Sequence, residues 1–401
     1  MQKNCGRINV LPVVFYVTGK FNEPKLRKSK MKKELELYLH IPFCIRKCEY
    51  CDFLSGPADE KSRRVYLDAM LRELAAVGPQ AKEYEVISVY IGGGTPSLLP
   101  GDWMEELMEV VRDTYCLKKD AEISMEANPG TLTAINLAGY HRAGINRLSL
   151  GCQSTDDTEL KLLGRIHTWA QFQESFQMVR EAGFANLNVD LMSGLPRQNL
   201  TSWEKSLEVI AGMEPEHISA YSLIIEEGTP FAEKKPELPD EEEERRMYER
   251  TKELLAENGL YRYEISNYAK PGYECRHNIG YWRRENYLGL GLGASSLFEN
   301  TRFHNTDVLF DYRKGNFERM DEEVLSRKSQ MEEFMFLGLR MMDGVSREEF
   351  KKQFGMEIEG AYAKPLEKLS AEGYLEQKEG RIYFTDRGID VSTTLLTEFL
   401  L

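Results

Sequence analysis

From Glu34 to about Gly228 the chain alternates two textures. Short apolar, β-prone runs stop abruptly in polar or Gly/Pro-rich clusters: "LELYLHIP", "VISVYIGGGTPS", "EISMEANPG", "INRLSLGCQS", "NLNVDLMSGLP" and "HISAYSLIIEEG". Amphipathic stretches lie between them. Leu67, Leu71 and Leu74 recur at i, i+4 and i+7. Trp169, Phe172, Phe176 and Val179 form one helical face, with Gly183 where a C-terminal cap belongs. Trp103, Leu107 and Val111 mark another helix. Six strand–helix units in a row predict parallel strands joined by crossover helices. Six units are too few to close an eight-fold barrel. The expected fold is therefore α/β, an open partial (β/α)6 TIM-like barrel over residues 31–262.

In such sheets, ligands sit at the carboxyl ends of the strands. The six predicted strands present Tyr38 and His40, Gly92 to Ser97, Glu126 and Asn128, Gln153, Asp190, and Ala220 with Tyr221 at those ends. One rim is thus expected to gather a triple glycine, two carboxylates and an amide.

After the last strand–helix unit comes an acid-rich helix, "PDEEEERRMYERTKELLAENG", whose acids suit the helix dipole and a solvated face. Residues 263–325 read as an irregular, aromatic-rich segment. Residues 326–401 read as a small C-terminal α+β domain of winged-helix type, with helical periodicity at Phe334, Leu337 and Met341 and a hairpin, "YLEQKEGRIYFT", turning near Gly380. Met331, Met335, Met341 and Met342 read as core filler. Residues 1–30 read as an extension with no structural role, the patterned sequence beginning at Met31.

Charge narrows the partners. The net charge is −13, and no basic face forms, so a nucleic-acid partner is not expected. No apolar run approaches the ~18–20 residues that span a bilayer, so membrane contact is at most peripheral. Seven cysteines make an odd count in a chain of 401 residues. This points to a reducing, cytoplasmic setting in which cysteines serve metal or redox chemistry.

Three of the seven lie within eight positions, in "HIPFCIRKCEYCDF". Cys44, Cys48 and Cys51 supply three thiolates from one loop. On a four-iron cluster, three ligands leave one iron open. A zinc site completed by His40, and unligated thiols, are the alternatives left by the residues alone.

Cys-x3-Cys-x2-Cys with an aromatic before the last cysteine, at the end of the first strand, resembles the radical S-adenosylmethionine (SAM) superfamily. "GGGTPS", the Glu of "EANP", "GCQS", "LGRIHT" and "VDLMSGLP" follow in the order of one branch, the oxygen-independent coproporphyrinogen oxidases and their relatives. The resemblance implies a radical SAM barrel whose [4Fe-4S] cluster is held by Cys44, Cys48 and Cys51, with SAM on the open iron. It places Tyr38 and Tyr50 beside cluster and SAM. It also implies backbone contacts from Gly93, Gly94 and Thr95 to the methionine moiety, polar contacts from Glu126, Gln153 and Asp190, an Arg165 pair with the SAM carboxylate, and Ala220 against adenine. An electron donor such as flavodoxin or ferredoxin would serve such a cluster.

One position divides the branch. The oxidases resemble Cys-x3-Cys-x2-Cys-x-Cys, whereas here the last place is Phe53. Phe53 and the "HNIGYW" motif are similar to a heme chaperone family, HemW. That implies heme as a ligand, contacted by His277, Tyr281 and Trp282, and an acceptor apoprotein, a respiratory component being one class. The alternative for His277 is a core histidine among packing aromatics. Cys275 and His304 rank behind it. Relatives often have a histidine where this chain has Ser295 in "GASS". The alternative function is oxidative decarboxylation of coproporphyrinogen III.

Overall fold

The computed structural model describes residues 32–401. The expected extension over residues 1–30 and the start at Met31 lie outside the described residues.

Six strands pair in sequence order, all parallel: β1 (Lys33–Ile41), β2 (Tyr84–Gly93), β3 (Leu117–Ala127), β4 (Arg147–Gln153), β5 (Leu187–Ser193) and β6 (His217–Ser222). The helices between them are α1 (Glu60–Val77), α2 (Gly101–Thr114), α3 (Ala134–Arg142), α4 (Asp157–Leu162), α5 (Trp169–Glu181) and α6 (Leu200–Ala211). Their buried faces follow the helical period. Leu67 and Leu74, Leu107 and Val111, and Phe172 and Val179 are all in the main core. Thr168 and Gln171 form a reciprocal capping box at the start of α5, and Gly183, at φ +92°, follows its end.

Alternation along the strands separates two environments. Leu35, Leu37 and Leu39 join the helix faces in the apolar core. The intervening Glu36, Tyr38 and His40 point the other way. They stand in register with Ser88, Tyr90 and Gly92 on β2. The barrel interior is consequently polar, and its upper layer forms the site described below.

Among the described residues the sheet has twelve strands, in the order β12-β11-β10-β9-β1-β2-β3-β4-β5-β6-β8-β7. The added strands are β7 (Tyr261–Arg262), β8 (Asn267–Ala269), β9 (Tyr287–Leu290), β10 (Ser295–Phe298), β11 (Thr301–Asn305) and β12 (Arg319–Val324). β9 runs parallel to β1, and the others pair antiparallel. The segment read as irregular therefore carries five short strands that continue the sheet. Strands of two to six residues are too short for alternation to reveal. Helices α7 (Pro230–Lys234), α8 (Glu241–Glu257), α9 (Arg276–Trp282) and α10 (Leu309–Lys314) accompany these strands.

The C-terminal region has its own apolar core, including Met335, Leu339, Phe350, Leu366, Ile382 and Phe399. Helices Arg327–Gly338, Arg347–Phe354 and Glu359–Ala371 pack there with a sheet of β13 (Val345–Ser346), β14 (Leu375–Lys378) and β15 (Arg381–Phe384). The β14–β15 hairpin turns at Glu379 and Gly380, both at positive φ, the geometry of a tight two-residue turn. Among the described residues, no helix is long and apolar enough to cross a membrane.

Candidate functional site

The cysteine loop closes on itself just beyond β1. The Cys44 N–H donates to Gly56 O at 3.0 Å, and the Gly56 N–H donates back to Pro42 O at 3.0 Å. Cys44, Cys48 and Cys51 are free thiols, half-buried, on the wall of a cavity of about 510 Å³. Thr95 Oγ1 lies 3.5 Å from Cys44 Sγ, and Arg165 Nη1 lies 3.8 Å from Cys48 Sγ. His40 is no fourth ligand. Its Nδ1 is 3.0 Å from the Tyr38 hydroxyl and its Nε2 is 3.0 Å from Leu54 O. Among the described residues, no three His, Cys, Asp or Glu side chains converge on a single-ion site. Three separated thiols with no fourth ligand suit a cluster of several irons better than one tetrahedral zinc.

The glycines let the tip of β2 press against this loop. A Cβ at Gly94 would fall 2.6 Å from Phe43 O and 2.7 Å from Phe43 N, and one at Gly93, at φ +109°, would strike the His40 ring. The N–H of Gly94 donates to Ile41 O at 2.8 Å. That of Gly93 donates to Glu126 Oε2 at 3.0 Å, so it serves the neighbouring carboxylate.

Glu126 also accepts from the Tyr90 hydroxyl at 3.1 Å. Burial, followed by the charge of Asp190, pushes its carboxyl up to about 7. Asp190 accepts from Ser149 Oγ at 3.0 Å and Asn188 Nδ2 at 2.7 Å, and burial raises it too. Gln153, at φ +70°, accepts from the Tyr221 hydroxyl at 2.9 Å. Arg165 donates through Nη2 to Asn128 Oδ1 at 2.7 Å and Gly151 O at 2.8 Å. Its guanidinium borders the cavity with no carboxylate paired to it among the described residues. A cavity holding three thiols, an unpaired guanidinium and two carboxylates primed to accept hydrogen bonds fits a cluster and a zwitterionic sulfonium ligand.

Tyr50, Gly93, Gly94, Thr95, Glu126, Gln153, Arg165 and Asp190 all line this cavity with the cysteines. Two expected SAM contacts do not. Tyr38, level with Tyr90 on the neighbouring strand, is outside the lining, its hydroxyl 3.0 Å from His40 Nδ1 and its ring 6.3 Å from that of Tyr90. Ala220 points out of the barrel into the apolar core, because strand alternation gives the inward places to Ser219 and Tyr221. Tyr90, Ser149 and Ser219 belong to the wall and were not foreseen. The signal available was parity, since Tyr90 stands two residues before Gly92.

The expected heme contacts are also absent from the cavity. His277 and Tyr281 fall one turn apart on α9, as their spacing implies, but they face inward. His277 is 1% exposed, with Nδ1 2.8 Å from Ser88 Oγ and Nε2 3.0 Å from the Tyr281 hydroxyl. Neither ring nitrogen is free to meet a metal. Burial, and then the nearby Arg147, lower its pKa to about 3, so the imidazole is neutral. Trp282 is half-buried, beneath the guanidinium of Arg340 at 5.5 Å. The thiol of Cys275 is buried against Glu122 Oε1 at 3.4 Å. His304 pairs with Asp321 at 3.0 Å on the β11–β12 side of the sheet.

Comparison with known proteins agrees with this architecture. The radical SAM superfamily matches residues 38–210, and the HemN C-terminal domain matches residues 325–391. The heme chaperone HemW of Lactococcus lactis is 36% identical over 378 residues, covering 92% of this chain and 98% of that protein. The heme chaperone HemW of Escherichia coli is 37% identical over 372 residues, covering 91% and 98%. Among solved structures, the coproporphyrinogen III oxidase HemN of Escherichia coli superposes with a TM-score of 0.80 at 23% identity, over 92% of this chain and 90% of that one, and shares its fold. With such identity across almost the full length, the chain belongs to the HemW family of the radical SAM superfamily.

Proposed function

We propose that this chain is a cytoplasmic heme chaperone that holds a [4Fe-4S] cluster and SAM, binds heme, and delivers it to an acceptor apoprotein, a respiratory component being the class expected. Cys44, Cys48 and Cys51 hold the cluster. Arg165 pairs with the SAM carboxylate, and Glu126 and Asp190 accept from its amino or ribose groups. A bound cluster supplies one electron at a time to the sulfonium, drawn from a flavodoxin- or ferredoxin-like donor. The residues around it orient SAM and keep water out.

The observation that carries the heme reading is Phe53. The oxidases of this branch resemble a motif with cysteine there, whereas here an apolar ring is 64% exposed at the cavity mouth. Ile224 borders the same opening at 69% exposure. Both apolar side chains line that one cavity, which favours an apolar ligand at its mouth. The second reading, oxidative decarboxylation of coproporphyrinogen III, is favoured by the fold shared with HemN.

Both are tested on one anaerobic, cluster-reconstituted preparation. Near-stoichiometric heme binding, with no protoporphyrinogen formed from coproporphyrinogen III, SAM and a reductant, supports the chaperone. Porphyrinogen turnover overturns it.

A further inference from the structure

The motif helix α9 plugs the lower end of the barrel, and its contacts run upward in one continuous column. His277 sits between Ser88 Oγ and the Tyr281 hydroxyl, which fix its plane. Its ring stacks on that of Tyr90, with centroids 5.1 Å apart and planes 22° from parallel. The hydroxyl of Tyr90 then donates to Glu126 Oε1 in the cavity wall. Among the described residues Glu126 has one other donor, the Gly93 N–H. The same helix faces the C-terminal region on its other side, where Arg340 covers Trp282 and Arg283 pairs with Asp343 at 3.2 Å.

From this column we infer that His277 is a positioning residue of the SAM cavity, holding Tyr90 so that its hydroxyl directs Glu126, and is not an axial ligand of heme. The inference rests on the reading that the cavity binds SAM. A residue that must bind iron needs a free nitrogen and access, and His277 has neither. What it offers is a flat, neutral, doubly hydrogen-bonded surface against which a phenol is held in one place. Tyr90 in turn supplies one of two hydrogen bonds that favour the ionised form of Glu126, against burial and the charge of Asp190, with Arg147 beside them. Around His277 stand Glu36, Glu122, Cys275, Tyr281 and Arg147. Burial raises Glu36, and the neutral imidazole adds no charge to the column.

The test is a double-mutant cycle on SAM affinity, measured across pH 5.5–8.5 with the full, reconstituted chain. His277→Ala opens the stack and frees Tyr90, and should weaken SAM binding by about tenfold while moving the pH midpoint upward. Tyr90→Phe should do the same. The double variant should be no worse than either single variant, because both act through one hydroxyl. His277→Gln, which can still reach Ser88 and Tyr281, should recover most of the affinity. Additive losses, or an unmoved midpoint in His277→Ala, would overturn the inference. So would loss of heme binding with SAM affinity intact in the folded His277→Gln protein. If the unaltered chain binds no SAM, the reading of the cavity itself fails, which is a separate outcome.

Discussion

Gly93 donates its backbone N–H to Glu126 Oε2 at 3.0 Å, fastening the tip of β2 to that of β3. Only a residue without a side chain can make this bond here, because a Cβ at position 93 would strike the His40 ring. Burial and the charge of Asp190 raise the carboxyl so held to about 7.

Glu126 is raised to about 7 by burial and by Asp190, so near neutral pH it is half protonated. A ligand that donates a hydroxyl or ammonium hydrogen selects the ionised form. SAM affinity should therefore rise with pH up to about 7 and level off above it. Glu126→Gln should flatten that dependence. Equilibrium binding at a series of pH values reads both.

Arg165 spreads its donors over Asn128 and Gly151 and still faces the cavity. A lysine offers one compact ammonium in place of a planar fork. Arg165→Lys should keep the fold but lose about 1.5–3 kcal/mol of SAM binding, the worth of a charged hydrogen bond. Calorimetric titration against the unaltered protein checks this.

His277 is buried neutral, with a pKa of about 3 against an ordinary value near 6.5. The unfolded chain takes up a proton below pH 6.5 that the folded imidazole refuses. The stability attached to this group is thus fully present above 6.5 and is lost as pH falls towards 3, at roughly 1.4 kcal/mol per unit. His277→Gln should lessen the loss of stability between pH 7 and pH 5, as measured by urea unfolding.

The sequence made the upper half of the barrel readable because its strands are long, parallel and each end in a polar cluster. Cys44, Glu126 and Asp190 could be placed on one cavity from that pattern. Ala220 could not be placed, because a strand's facing depends on parity, and β6 is bounded at its end by polar residues on both faces. Tyr90, Ser149 and Ser219 were missed for the same reason, lying one layer below the strand tips. His277 illustrates a different gap. Its motif spacing shows that His277 and Tyr281 share a helix face, but which way that face turns depends on Ser88 and Tyr90, nearly two hundred residues earlier. The pairing of β9 with β1 is likewise set by contacts across most of the chain, which no local period encodes.

On the function proposed above, Cys44, Cys48 and Cys51 hold a cluster with one iron open to SAM. Replacing all three with alanine and measuring iron content, visible absorbance and SAM affinity after anaerobic reconstitution tests it most directly. The expected variant is a colourless protein without iron whose SAM affinity has collapsed. A variant that keeps both its iron and its affinity for SAM would contradict it.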